Sequence, residues 1–223
     1  MATTNSTTFA VVAPRTHSFS RDLAETVIGF AAILLVLWLP TRDQLILGPV
    51  ALLVPLGMVL AKRPTAMELG LGLRGFISSL WILPAAVGLT IASRLVAQRI
   101  GTFHALYSAD IRHAGGYVLW TFYQQFLLQD YFMPRLARIL SSNGAIAVAA
   151  VLFALAHLPN PSLTIATLVW GAASCLLFRR YRSLYVLGLA QGILGLSFGV
   201  CVPDYMHHHM RVGLGYLRYH AIQ

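Results

Sequence analysis

Six polar side chains stand out in a stretch that is otherwise almost continuous hydrocarbon: Gln124, Gln125, Gln129, Asp130, His157 and Gln191. Polar groups in such a setting cost free energy unless they meet one another or line a cavity, and they mark function by default. Their types set the available chemistry. A histidine can take or give a proton near neutrality, and a carboxylate can act as a general base. A glutamine amide does neither; it hydrogen-bonds as a neutral group. Gln125 and Gln129 are four residues apart and share a helical face, with Gln124 about 100° around the axis. Asp130 lies five residues beyond Gln125, about 140° around a regular helix, so its expected partners are Arg135 or Arg138 rather than the amides. Buried amides also serve as plain glue between helices, at about 0.6 kcal/mol per bond. Three Gln within six residues, with a His placed to meet them, set a polar site against that reading.

The elements that must position these groups are membrane spans. The 223 residues are 57% hydrophobic and only 10% charged, with mean hydropathy +0.71, whereas soluble domains carry about 25% charged residues. No period-2 alternation suits a membrane β-barrel. The expected fold is therefore all-α, a polytopic transmembrane helical bundle of seven spans, or eight if one is missed. The seven cover residues 23–39, 44–61, 76–97, 116–136, 145–158, 162–178 and 184–200. A perpendicular span takes about 20 residues, so the second, fifth and sixth are short, as segments bordering a buried site often are. Pro64 and the Gly-rich run 68–75 break the chain, and "HLPNP" at 157–161 makes a tight connection with Pro161 in the first turn of the next helix. Residues 1–20, rich in Ser and Thr without an apolar core, read as a disordered lead rather than a signal peptide. Residues 21–200 form the transmembrane domain and 201–223 an interfacial tail.

Net charge is +9, spread over the connections. No basic stripe with interleaved aromatics appears, so nucleic-acid binding is not expected, and the charge reads as topology and lipid-headgroup contact. Ten cations (Arg15, Arg21, Lys62, Arg63, Arg74, Arg135, Arg138, Arg179, Arg180, Arg182) lie on the N-terminal side of the spans, against six (Arg42, Arg94, Arg99, Arg112, Arg211, Arg218) on the other. That bias places the N-terminus in the cytoplasm. Gln124 and Gln125 then sit about two turns below the outer surface, at ~1.5 Å per residue. His157 ends the next span on the same side, so these groups can converge in the outer half of the membrane.

Cys175 and Cys201 have neither metal-type spacing nor a disulfide framework. Gly188, Gly192, Gly195 and Gly199 follow small-xxx-small spacing and read first as close helix packing. The tail holds His207, His208 and His209 beside Asp204. His207 and His209, like His157, are weak metal candidates, and the competing reading is an amphipathic tail with Tyr205, Tyr216, Tyr219 and Arg211 among headgroups. His104 and His113 are expected at the surface on the tail's side.

Three of these segments together resemble the CPBP family of intramembrane proteases, which includes the type II CAAX prenyl endopeptidases and bacterial Abi-type proteins. That family carries Glu-Glu-x-x-x-Arg, then Phe-x-x-x-His, then His-x-x-x-Asn on successive motif-bearing spans. Here "QQFLLQ" at 124–129 stands in the first position, Phe153 and His157 of "FALAH" match the second, and Gln191 and Gly195 of "QGILG" stand in the third. The resemblance covers about residues 67–199. It implies an endopeptidase acting on membrane-associated or prenylated peptides in a bacterial plasma membrane, with zinc if active. The motif positions His157, Gln124, Gln125, Gln129 and Gln191 then stand for the catalytic set. Phe153, Asn160 and Gly195 are read as substrate contacts.

The departures from the motif decide the chemistry. In the family, the acidic pair and the histidines activate a water. A Gln amide cannot take a proton and is a poor zinc ligand, so His157 alone survives among the titrating positions. Yet Glu, Glu and Arg have become Gln, Gln and Gln, so opposite charges left together and long hydrogen-bonding side chains stayed. Aimless decay in a membrane would favour Leu, Ala or Val. Two functions are carried forward: an endopeptidase with altered catalytic groups, and a pseudoprotease that binds a membrane peptide, a lipid tail or a partner protein without cutting it. A small transporter would want charged groups at the midplane, and the spans offer few.

Overall fold

The computed structural model describes residues 16–105 and 111–219, and among them every regular element is helical. Helix α1 (Thr16–Trp38) turns at Pro40 into α2 (Thr41–Leu60). The expected disordered lead lies outside the described residues up to residue 15, and α1 begins within its last five. After the Pro64 and Gly breaks, α3 (Leu73–Ser79) and α4 (Ile82–Ile100) run on as one apolar rod. Four helical stretches are long and apolar enough to cross a membrane: Thr41–Leu60, Leu73–Ile100, Pro161–Tyr181 and Leu184–Cys201. Helix α7 (Ser142–Leu155) is apolar but shorter.

The stretch expected as a regular fourth span is α5 (Ile111–Phe126), a π-helical segment (Leu127–Phe132) and α6 (Met133–Ile139) in succession. A π turn widens the helix by one residue and often sits at a functional site. It is the distortion that a regular-helix reading of Asp130 did not allow for. Side-chain oxygens fix the starts of the helices that follow. Ser141 caps α7, Asn160 caps α8 (Pro161–Tyr181) and Ser183 caps α9 (Leu184–Cys201), each a contribution of about 1 kcal/mol.

Helix α7 packs along α8, and α9 lies against both α4 and α5. The glycine stripe of α9 is what lets α5 approach. A Cβ on Gly188 would lie 2.5 Å from the Phe122 ring, and one on Gly192 3.1 Å from Val118. Thr121 Oγ1 uses the closeness to donate to the Gly188 carbonyl at 2.9 Å. Gly188→Val should therefore overpack the α5–α9 seam and cost about 1–3 kcal/mol. A lowered thermal midpoint in detergent would register it. Gly57→Val, at a position with nothing within 4 Å, should leave the midpoint unmoved.

At the end of the bundle where α1 begins, Arg135 Nε meets Glu25 Oε2 at 2.7 Å and Arg138 meets Asp22 at 2.6 Å. Tyr131 Oη donates to the Glu25 carbonyl at 2.7 Å. These pairs correct the expectation for Asp130. The arginines take their carboxylates from α1, and the buried Asp130 Oδ2 has no hydrogen-bond partner among the described residues. At the opposite end the tail folds back as α10 (Asp204–His207) and α11 (Gly213–Leu217). Asn160 Nδ2 donates to the His207 and Arg211 carbonyls at 2.8 and 3.1 Å, and Gly213 N donates to Leu158 O at 2.8 Å. Tyr205 is 77% exposed while His207 is 1% exposed, so the tail is a strap with one surface face and one buried face.

Candidate polar pocket

Gln191, on α9, is the hub of the amide cluster. Its Oε1 accepts from Gln125 Nε2 at 2.6 Å and from Trp170 Nε1 at 3.1 Å, and its Nε2 donates to Gln124 Oε1. Behind it, Gln129 Nε2 donates to Gln125 Oε1 at 3.1 Å and approaches Ser174 Oγ at 3.3 Å. The π segment begins between Gln125 and Gln129 without parting them. The result is a chain of neutral amides linking α5, the π segment, α8 and α9. Gln129 Oε1 is left buried and without a partner among the described residues.

One side of this cluster faces a cavity of about 770 Å³, bounded by α1, α2, α4, α5, α7, α8 and α9, with Met210 and Val212 of the tail also on its wall. Gln124, Gln191, His157, Phe153 and Gly195 line it; Gln125 and Gln129 stand behind, fully buried. Among the described residues no Asp, Glu, Lys or Arg lines it. Helix α2 packs on α1 and the π segment and reaches α5 through Tyr123 Oη, which donates to Leu52 O at 2.7 Å. Leu52 of α2, Leu89 of α4 and Trp120 of α5 line the cavity and are also exposed.

His157 stands at the C-terminal end of α7. Its Nδ1 lies 2.7 Å from the Phe153 carbonyl. A carbonyl only accepts, so in the neutral ring Nδ1 carries the proton and Nε2 keeps a lone pair. Among the described residues Nε2 has no hydrogen-bond partner. Phe153 is packed edge-on against the ring, centroids 5.0 Å apart.

Asn160, read from the sequence as a substrate contact, is placed off the cavity lining. Its Oδ1 accepts from Leu163 N and Ser162 Oγ, its Nδ2 holds the tail, and it is fully buried away from the cavity. Gly195, in the place of the motif's Asn, lies under a phenol; a Cβ there would be 1.9 Å from Tyr117 Oη. The Tyr117 hydroxyl thus fills the space a side chain would take. Tyr117 and Trp170 belong to no motif, and sequence reasoning missed both. A polar-tipped aromatic on each neighbouring helix was the only signal.

The weak metal candidates do not come together. Among the described residues no three His, Cys, Asp or Glu side chains form a group that could hold an ion. In the tail, His207 Nε2 faces Val202 O at 2.9 Å and His207 Nδ1 accepts from Met210 N at 3.1 Å. His209 Nε2 lies 3.1 Å from Asp204 Oδ2. Burial opposes the charge on Asp204, but the Tyr219 hydroxyl and the His209 N–H hold its carboxyl below the ordinary range. Burial holds the His207 imidazole below its ordinary value. His104 joins this group, its ring stacked 6.2 Å from that of His207; the side chain of His113 lies outside the described residues. Zinc takes Cys, His or carboxylate ligands, three or four at a time. One imidazole among neutral amides does not fit it.

Residues 112–196 match the family model described as type II CAAX prenyl endopeptidase Rce1-like. Comparison with curated proteins and with solved structures gave no match. The matched stretch runs from α5 into α9 and holds all three motif positions. The matched stretch is thus similar to a CAAX-protease-like membrane protein, and it supplies part of the pocket wall beside α1, α2 and α4.

Proposed function

We propose that this protein is a non-hydrolytic member of that group, a membrane pseudoprotease whose pocket binds rather than cuts. The carrying observation is that the four amides at the motif positions hydrogen-bond to one another. Gln124, Gln125, Gln129 and Trp170 all bond into the Gln191 network, and among the described residues His157 has no carboxylate bonded to it. A water at His157 Nε2 would find an acceptor for one proton, and among the described residues no carboxylate beside it to serve as a second base. In this reading the chain is an integral protein of a bacterial plasma membrane with a cytoplasmic N-terminus. Seven spans follow if α1, the α5–α6 unit and α7 cross with the four long apolar stretches. The loop-charge bias supports the orientation.

A second reading, an endopeptidase with altered groups, is favoured by the free Nε2 of His157 on the cavity wall. Incubating the purified protein with a farnesylated CAAX-type peptide separates the two. The expected result is no product from wild type above the level of His157→Ala. Cleavage by wild type that is lost in His157→Ala would replace the binding reading with the enzymatic one.

A further inference from the structure

The cavity's wall specifies the charge of its occupant. Among the described residues it carries no carboxylate, ammonium or guanidinium, it is largely apolar, and Leu52, Leu89 and Trp120 on it are exposed. A ligand with a formal charge would bury that charge unpaired, which proteins avoid. That argues against a phospholipid, a fatty-acid anion or a peptide's terminal carboxylate. A peptide backbone would also bring an N–H and a C=O per residue to a wall with few free polar atoms. Two such atoms stand out: the His157 Nε2 lone pair, and the Gln124 amide nitrogen, whose oxygen alone is used by Gln191. They offer one acceptor and one donor, both neutral. The volume, about 770 Å³, falls in the range of about 300–1,000 Å³ that encloses one small-molecule ligand.

We propose that the cavity binds an uncharged single-chain amphiphile. Its chain lies along α1 and α2, and its head, carrying a hydroxyl or amide donor, sits between His157 and Gln124. The inference rests on the reading of the pocket as a binding site. Trp120 and Trp170 line the cavity and report on it directly. The test uses the purified full chain and a 1-O-alkylglycerol with a dibrominated chain, which quenches tryptophan emission at contact and has no ester to cut. The same brominated chain is also presented as a carboxylate, as a trimethylammonium and as a bare alkane.

Saturable quenching by the alkylglycerol is expected, with the other three at least tenfold weaker. His157→Ala should bring the alkylglycerol down to the affinity of the alkane. Gly48→Phe provides a second, independent variant. Gly48 lines the cavity with nothing within 4 Å of an added Cβ, so the ring should fill the chain's path and abolish quenching without touching the amides. Equal or tighter binding of a charged head or of the alkane would overturn the proposal. So would quenching that never saturates, quenching indifferent to Gly48→Phe, or displacement of the alkylglycerol by an apolar peptide at lower concentration. Peptide cleavage in the earlier assay would defeat the non-hydrolytic reading and leave this binding result standing. Loss of binding without cleavage would defeat only the ligand class.

Discussion

Gln191→Leu is expected to lower stability by about 2–4 kcal/mol, more than any other single change in the amide cluster. The substitution keeps apolar volume but removes the group that Gln125, Gln124 and Trp170 share. Each buried polar atom left unpaired costs about 1–3 kcal/mol, and Gln125 is wholly buried with no water to turn to. Gln124→Leu removes one of these bonds at the cavity wall and should cost about 1 kcal/mol. Chemical unfolding of the two variants beside wild type measures the difference, and Gln125→Leu completes a double-mutant cycle with Gln191→Leu. A coupling well above the 0.6 kcal/mol average for intramembrane hydrogen bonds means that the amides act as one network. A Gln191→Leu effect no larger than that average would mean separate glue.

Gly213→Ala should release the tail. Gly213 has φ +56°, and an added Cβ would fall 2.1 Å from Leu37 O and 2.7 Å from Leu37 C, backbone atoms of α1 that cannot rotate away. A left-handed conformation alone costs a non-glycine residue about 1–2 kcal/mol, and the clash adds to it. The Gly213 N to Leu158 O bond and the Asn160 grip on His207 and Arg211 depend on that register. Hydrogen exchange across residues 203–219 should rise at least about tenfold, since each 1.4 kcal/mol is a factor of ten, while α8 stays protected. Gly215→Ala, with nothing within 4 Å, serves as the control and should exchange like wild type. Unchanged protection in Gly213→Ala would mean that the strap is not held through Gly213. Because Met210 and Val212 line the cavity, the same variant should admit a brominated chain faster.

How much of this was legible in the sequence depends on what each feature needed. The all-helical fold followed from composition, and the polar residues announced themselves because hydrocarbon tolerates so few. Helical spacing put Gln125 and Gln129 on one face, and they do hydrogen-bond. The π segment had no such signal; an i to i+5 pattern is chosen by packing around Leu127–Phe132 and not by their types. The partners of Arg135 and Arg138 came from α1, over a hundred residues away, a distance no local rule spans. The capping role of Asn160 was readable in the sequence. An Asn immediately before Pro at a helix start is a capping signal, and the cap together with the tail carbonyls uses its bonding capacity. The contact of the tail with α1 had no sequence signal, because its aromatic and basic residues suit an interface and Gly213 meets Leu37 from far along the chain.

The central claim is that the motif positions now form a neutral binding pocket. Zinc content of the purified wild type after equilibration with excess Zn²⁺ and desalting tests it most directly, read beside a variant with Gln124→Glu, Gln125→Glu, Gln129→Arg and Gln191→His. The expected result is no stoichiometric zinc on wild type and retained zinc on the variant, whose restored carboxylates and imidazole supply the ligands the metal prefers. One zinc per wild-type chain, lost in His157→Ala, would contradict the account.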